Sequence, residues 1–204
     1  EILKAEMWKI SGHYANYKEN MYFTTIDDQE YGIKPMNCVG HIQIFKNNLV
    51  SYKELPKKLF EYGVVHRHEM SGAMHGLFRV REFTQDDSHI FCTQDQIKQV
   101  IFEVLEFVDT LLKVFDFKYE IEVSTKPEKA IGDDIFWEKT TKGIMDALDE
   151  NNISYGIDEG GGAFYGPKID IKILDAIGRK WQCGTVQVDM NLPSRFNVEY
   201  INEK

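Results

Sequence analysis

Gly63-Val64-Val65-His66-Arg67-His68-Glu69 and Arg79-Val80-Arg81-Glu82-Phe83-Thr84-Gln85-Asp86-Asp87-Ser88-His89-Ile90-Phe91-Cys92, separated by the polar, Gly-containing stretch 70–77, decide how this chain reads. Both runs have the β-branched and aromatic content of long strands, and the stretch between them has the content of a loop. Working outward, residues 95–115 carry Val100, Ile101, Val104, Leu105, Val108, Leu111, Leu112 and Phe115 at three- and four-residue steps, which predicts an amphipathic helix. A second helix is predicted over 134–150, with Asp133 or Asp134 as its cap and Ile135, Ile144, Met145 and Leu148 facing the core. Alternation over 117–123 and 169–173, together with the run 181–190, predicts three further strands. No Gly-rich phosphate turn joins a strand to a helix. The expectation is therefore an α+β fold, an antiparallel β-sheet core with flanking helices, rather than a doubly wound parallel sheet.

The 204 residues fit one substantial domain, and 43% hydrophobic with 13% aromatic content is enough for a packed core. No window reaches the 18 or more apolar residues of a membrane span, and Glu1-Ile2-Leu3-Lys4-Ala5-Glu6 does not read as a signal peptide. The abrupt start leaves open a lost N-terminus. Three widely spaced cysteines, Cys38, Cys92 and Cys183, argue against a disulfide scaffold and for a reducing compartment. A formal net charge of −9 excludes binding of nucleic acid by a general basic field, so any RNA contact must be local.

On a strand, Arg67 and Glu69 share a face. Arginine grips phosphate through two parallel charge-assisted bonds, a carboxylate accepts from an exocyclic amine, and Phe83 offers a stacking surface, so a nucleotide site can be drawn. Spacing alone favours a surface hairpin laced with cross-strand ion pairs. Cys38 and His89, 51 residues apart, are by themselves weak evidence for a metal, and Cys38 with His41 has the closer spacing of a zinc half-site. Gly160-Gly161-Gly162 suits a flexible turn better than a phosphate cradle.

Longer text adds to this. The Arg-x-Glu strand, loop and returning strand resemble motif 2 of the class II aminoacyl-tRNA synthetases. Ser11-Gly12-His13-Tyr14, Lys34-Pro35-Met36-Asn37-Cys38-Val39-Gly40-His41, 83–92, Ala163-Phe164-Tyr165-Gly166-Pro167-Lys168-Ile169-Asp170 and 181–187 resemble, in order, signatures of the threonyl-tRNA synthetase family. The resemblance covers essentially the whole chain. It implies a class II catalytic fold and ATP-dependent activation of threonine, followed by transfer to tRNA(Thr).

The resemblance also implies roles. Arg67, Gln85 and Lys168 would be catalytic; Arg67, Glu69, Arg79, Phe83 and Gln182 would bind ATP with its Mg²⁺. Met36, Asp87, Tyr165 and Gln187 would bind threonine, and His13 would lie near the tRNA 3′ end. Positioning and electrostatics carry in-line attack by a carboxylate, so no general base is needed. The family binds Zn²⁺ through one cysteine and two histidines, which points to Cys38 and His89, with a third ligand expected beyond Lys204. A metal that requires a hydroxyl rejects valine, where a hydrophobic pocket separates such isosteres by only about 10–200-fold.

Departures from the family pattern bound these expectations. Val39 stands where the family has proline, which alters loop stiffness and removes no ligand. Motif 1 is expected before Glu1, motif 3 and the second zinc histidine after Lys204, and neither an editing nor an anticodon-binding domain is visible. Residues 1–204 thus read as a catalytic-domain fragment containing motif 2, expected to be poorly active alone and to hold zinc incompletely. The longer protein is expected to be cytoplasmic, with an organellar form left open, and homodimeric, without membrane partners. A non-catalytic synthetase-like module that binds ATP and amino acid is the alternative. A prolyl- or seryl-type enzyme is the nearer one, disfavoured by the Cys38–His89 pair and the text 85–89.

Overall fold

Alternation of apolar and polar residues along the strands sets the architecture in the computed structural model, which describes residues 1–203. The chain forms two compact units, residues 1–91 with the segment from Leu192 onward, and residues 92–191. No Pro-, Gly- or Ser-rich linker marks either crossing, which is why composition gave no sign of them.

In the first unit β1 (Ile2–Lys4) leads into α1 (Ala5–Ser11) and α2 (His13–Asn16), with Gly12 at φ 84° between the helices. Next, β2 (Phe23–Ile26) and β3 (Gln29–Ile33) complete an antiparallel sheet of order β1-β3-β2. Trp8 packs where Gly32 passes: a Cβ there would sit 2.7 Å from the indole. The short helix α3 (Cys38–Lys46) buries Cys38, Val39, His41, Ile42 and Phe45. Cys38, Val39 and Ile42 join Trp8, Met21, Leu192 and Phe196 in one cluster. Finally β4 (Lys57–His66) and β5 (Glu82–Phe91) pair antiparallel over their whole length, Leu59 opposite His89 and His66 opposite Glu82.

This hairpin corrects the strand bounds read from sequence. The first strand begins at Lys57 rather than Gly63 and ends at His66, so Arg67 and Glu69 lie past it and are not same-face strand neighbours. The physical reason is a tertiary one. Arg67 N–H still donates to Arg81 at 2.8 Å, but His68 N–H turns to the Asn20 carbonyl and Glu69 N–H to that of Arg67, which closes the ladder. The returning strand starts at Glu82, with Arg79 held instead by an isolated bridge to His75.

In the second unit α4 (Ile97–Val114) and α5 (Asp134–Glu150) fall where periodicity places them. The Asp133 carboxylate caps α5 by accepting from Phe136 N–H at 2.7 Å. Strands β6 (Tyr119–Ser124), β7 (Gly156–Asp158), β8 (Lys168–Leu174) and β9 (Lys180–Gln187) make a sheet of order β7-β6-β8-β9. Its pairs are antiparallel except β6–β7, which is parallel because α5 carries the chain back between them. Ile121, Val123 and Ile169 on one sheet face pack with Ile101 and Leu105 of α4 and Ile144, Ala147 and Leu148 of α5. Three expected apolar-face positions differ: Ile135 is exposed in the first turn of α5, and Leu111 and Phe115 are exposed toward the end of α4. A last short helix, α6 (Asn191–Arg195), follows β9 and, from Leu192 onward, belongs to the first unit.

Leu148 is fully buried in this cluster. Leu148→Ala is expected to lower unfolding stability by about 2–5 kcal/mol, read as a drop in denaturant midpoint with an unchanged slope.

Candidate functional site

The residues expected to carry chemistry divide between the units. His13, Met36, Cys38, Arg67, Glu69, Arg79, Phe83, Gln85, Asp87 and His89 belong to the first, and Tyr165, Lys168, Gln182 and Gln187 to the second.

In the first unit, period-two geometry puts Phe83, Gln85, Asp87 and His89 on one face of β5, opposite Val65, Gly63, Glu61 and Leu59 of β4. The N-terminal turn of α3 docks on that face at two points. Asn37, fully buried, donates from Nδ2 to Asp87 Oδ2 at 2.9 Å, and His41 Nδ1 lies 2.7 Å from His89 Nδ1. Gly63 makes the approach possible, because a Cβ there would meet the Asn37 amide at 2.3–2.5 Å. Cys38, buried, sits in sequence between the two docking residues. The structure places His41, the local rival, against His89, with Cys38 in the same first helical turn as His41. Among the described residues no cluster of three or more His, Cys, Asp and Glu side chains is arranged to hold a metal ion.

Arg67 is held by its backbone neighbours: Nε donates to the Pro35 carbonyl at 3.1 Å, and the guanidinium lies 5.1 Å from the Phe83 ring centroid. Glu69 pairs with Arg79, Nε to Oε2 at 3.1 Å. An arginine, an aromatic face and a carboxylate–arginine pair thus assemble at the mouth of the hairpin.

Behind them His13 is fully buried, with Nδ1 2.7 Å from Ser11 Oγ and Nε2 2.9 Å from Met36 Sδ. Tyr17, which sequence did not single out, stands edge-on to the His13 ring at 6.4 Å. Burial raises the Tyr17 phenol above its usual range, with Arg67 and Arg79 pulling it down and Glu69 pushing it up. Tyr17 therefore feels every charged member of the group, a proximity that no spacing in the sequence signals.

In the second unit the sheet face opposite the core is polar. Asp170, 1% exposed, collects Ser124 Oγ, Lys168 Nζ and Gln182 Nε2, each at 2.7 Å, and Thr185 Oγ1 at 3.2 Å. Lys168 and Gln182 are thereby fixed by a carboxylate that the sequence reading passed over. Its signal was the alternation Lys168-Ile169-Asp170-Ile171-Lys172, a charge at the centre of an apolar strand. Tyr165 Oη donates to Gln187 Oε1, and Asn191 Nδ2 donates to the Tyr165 carbonyl at 2.6 Å. Gly160-Gly161-Gly162 turns the chain: Gly160 has φ +77°, and a Cβ on Gly162 would meet the Thr125 carbonyl at 2.4 Å.

The chain as a whole has counterparts among known proteins. Residues 22–204 match the tRNA synthetase class II core domain (G, H, P, S and T). The chain belongs to this family. It is 72% identical over its full length to a threonine–tRNA ligase of Campylobacter jejuni, of which it covers 34%, and 70% identical to that of a Sulfurovum species, again covering 34%. A solved structure described as the RNA binding domain of threonyl-tRNA synthetase from Cryptosporidium parvum Iowa II superposes with a TM-score of 0.95 at 44% identity, over 99% of this chain and 50% of that one. The chain thus spans about a third of the length of these curated relatives.

Two measurements probe this family member's polar faces. Burial, with the charge of Arg67 adding to it, lowers the His13 imidazole from 6.5 to about 4. The unfolded chain then takes up this proton first as pH falls. The stability that His13 contributes is complete above 6.5 and is lost progressively toward 4. The unfolding free energy is expected to decline across that window, and His13→Gln to flatten the decline; an equal slope in both proteins excludes His13 as its source. Separately, Asp170→Ala leaves the mostly buried Lys168 ammonium without its anion and is expected to cost about 3–5 kcal/mol, measured by chemical denaturation.

Proposed function

We propose that this chain forms the ATP- and threonine-handling part of a threonine–tRNA ligase with the class II catalytic fold. The observation that carries the reading is the group at the hairpin mouth, Arg67 over Phe83 beside the Glu69–Arg79 pair, in a chain 72% identical to such a ligase. Arg67, anchored on the Pro35 carbonyl, holds a phosphate oxygen of ATP and offsets the charge that develops as the threonine carboxylate attacks. Phe83 stacks on the adenine, Glu69 accepts from its amino group, and Arg79 reaches the outer phosphates, whose charge Mg²⁺ would help to neutralise. On the second unit Lys168 and Gln182, oriented by Asp170, serve the same reaction with Gln85. Asp87, Met36, Tyr165 and Gln187 receive threonine. His13, held neutral, lies toward the tRNA terminus.

The donor set at α3 and β5 fits zinc: a buried thiol, Cys38, and an imidazole, His89, whose ring is fixed by contact with His41. Burial holds His89 below its usual range, so its imidazole is neutral, as a metal ligand must be. When bound, zinc supplies a Lewis-acid position that selects a substrate bearing both an amino group and a hydroxyl. Asp87, fixed by Asn37, stands on the same strand face to meet the amino group.

Threonine-dependent exchange of pyrophosphate into ATP tests the reading, using a protein of the relatives' full length that carries this sequence. Exchange is expected with threonine and not with valine, and Arg67→Ala is expected to lower kcat about 10²–10³-fold. Nucleotide binding without any exchange would identify a binding module instead.

A further inference from the structure

Behind His89 lies a chain of polar groups that the proposed reaction does not use. His41 Nδ1 is 2.7 Å from His89 Nδ1, and its other ring nitrogen, Nε2, is 3.4 Å from Glu61 Oε1. Glu61 Oε2 in turn faces Lys34 Nζ at 3.5 Å, and Lys34, 4% exposed, also faces Glu1 Oε2 at 3.3 Å. Glu61 stands across the hairpin from Asp87, two residues along β4 from the partner of His89. Every member lies in the first unit.

Proton inventory fixes how such a chain is wired. Glu61 Oε1 faces His41 Nε2 only as an ion-pair contact at 3.4 Å, and a carboxylate oxygen there favours the His41 proton on Nε2 over Nδ1. A neutral His41 then has a bare Nδ1, which only accepts. The short contact between the two Nδ1 atoms therefore requires the proton on His89 Nδ1. Asp87 Oδ1, 3.9 Å from the same nitrogen, favours a proton there too. With Nδ1 protonated, a neutral His89 has its lone pair on Nε2.

We propose that Glu61 and His41 are positioning residues which set the His89 tautomer and leave Nε2 bare to bind a soft divalent metal. Lys34 serves the same end by holding the Glu61 carboxylate in place. The arrangement also settles the competition between His41 and His89 that spacing left open. Both ring nitrogens of His41 are engaged, so it stands behind the donor set rather than in it. Outer carboxylate and histidine partners of this kind orient a ligating imidazole and raise its basicity, and losing one weakens metal binding about 10–100-fold.

The inference rests on the zinc reading above, and its test separates the two. On this chain with ¹⁵N-labelled histidine and no metal, ring-nitrogen NMR at slightly alkaline pH is expected to show His89 protonated at Nδ1 and His41 at Nε2. His89 protonated at Nε2 overturns the proposal, with no variant needed. On the protein of the relatives' full length, zinc affinity by competition with a chelating dye is expected to fall about 10–100-fold in Glu61→Gln. That variant keeps the side-chain volume and an acceptor oxygen for Lys34. The thiolate charge-transfer band of the Co²⁺-loaded protein is expected to persist with altered ligand-field bands. Unchanged affinity and spectrum in Glu61→Gln overturn the relay. So does His41→Gln abolishing metal binding as completely as Cys38→Ser, because His41 would then itself be a ligand. If the unsubstituted full-length protein takes up no zinc while the tautomers are as expected, the zinc reading fails and the metal-directed role falls with it.

Discussion

Asn37 reaches Asp87 across a gap that exists only because residue 63 has no side chain. The geometry of the first unit's polar face depends on that single close approach. It seats the first turn of α3 on the β4–β5 hairpin, and so sets where Cys38 and His41 stand relative to Asp87 and His89. The amide is fully buried, and its Oδ1 finds no hydrogen-bond partner among the described residues. A buried carbonyl oxygen left unpaired costs about 1–3 kcal/mol. Its retention beside a proposed amino-acid pocket fits a group whose role is to aim Asp87 rather than to add stability.

The second unit reaches a polar face by the opposite means. There the sheet is two-sided: Ile121, Val123 and Ile169 pack on α4 and α5, and the reverse side carries Asp170 at its centre. A carboxylate buried that deeply is tolerable only if every lone pair is met, and four donors meet it. Rigidity follows from satisfaction. Lys168 and Gln182 have few rotamers left once Asp170 holds them, so the sheet presents them in one geometry.

What was legible in the sequence follows the length of the repeat that each element offers. The 18 residues of α4 and 17 of α5 complete enough turns for a 3.6-residue period to stand out, and their ends fell within three residues. The seven residues of α1 and four of α2 do not, and β7, three residues long, is defined by a parallel partner that α5 separates from it. Boundaries of the central hairpin shifted because Asn20, far away in sequence, takes the His68 N–H. In the candidate site, the residues named from motif text were the ones a ligand would touch. Glu61, Asn37, Tyr17 and Asp170 were given no role, because each acts on another side chain, and that relation exists only after folding.

The formal charge of −9 argues against a general attraction for ATP or RNA, yet the hairpin gathers arginines where a polyanion is expected. Local placement resolves this, since Arg67 is fixed by the Pro35 carbonyl and Arg81 by that of Glu69, acceptors that neutralise no charge. Their fields stay available to a ligand and also act inward. Arg67 adds to the burial that keeps His13 uncharged, so that imidazole adds no positive charge of its own. Such placement gives one mouth of an acidic chain a local field suited to an anion, without the general basic field that a net charge of −9 rules out.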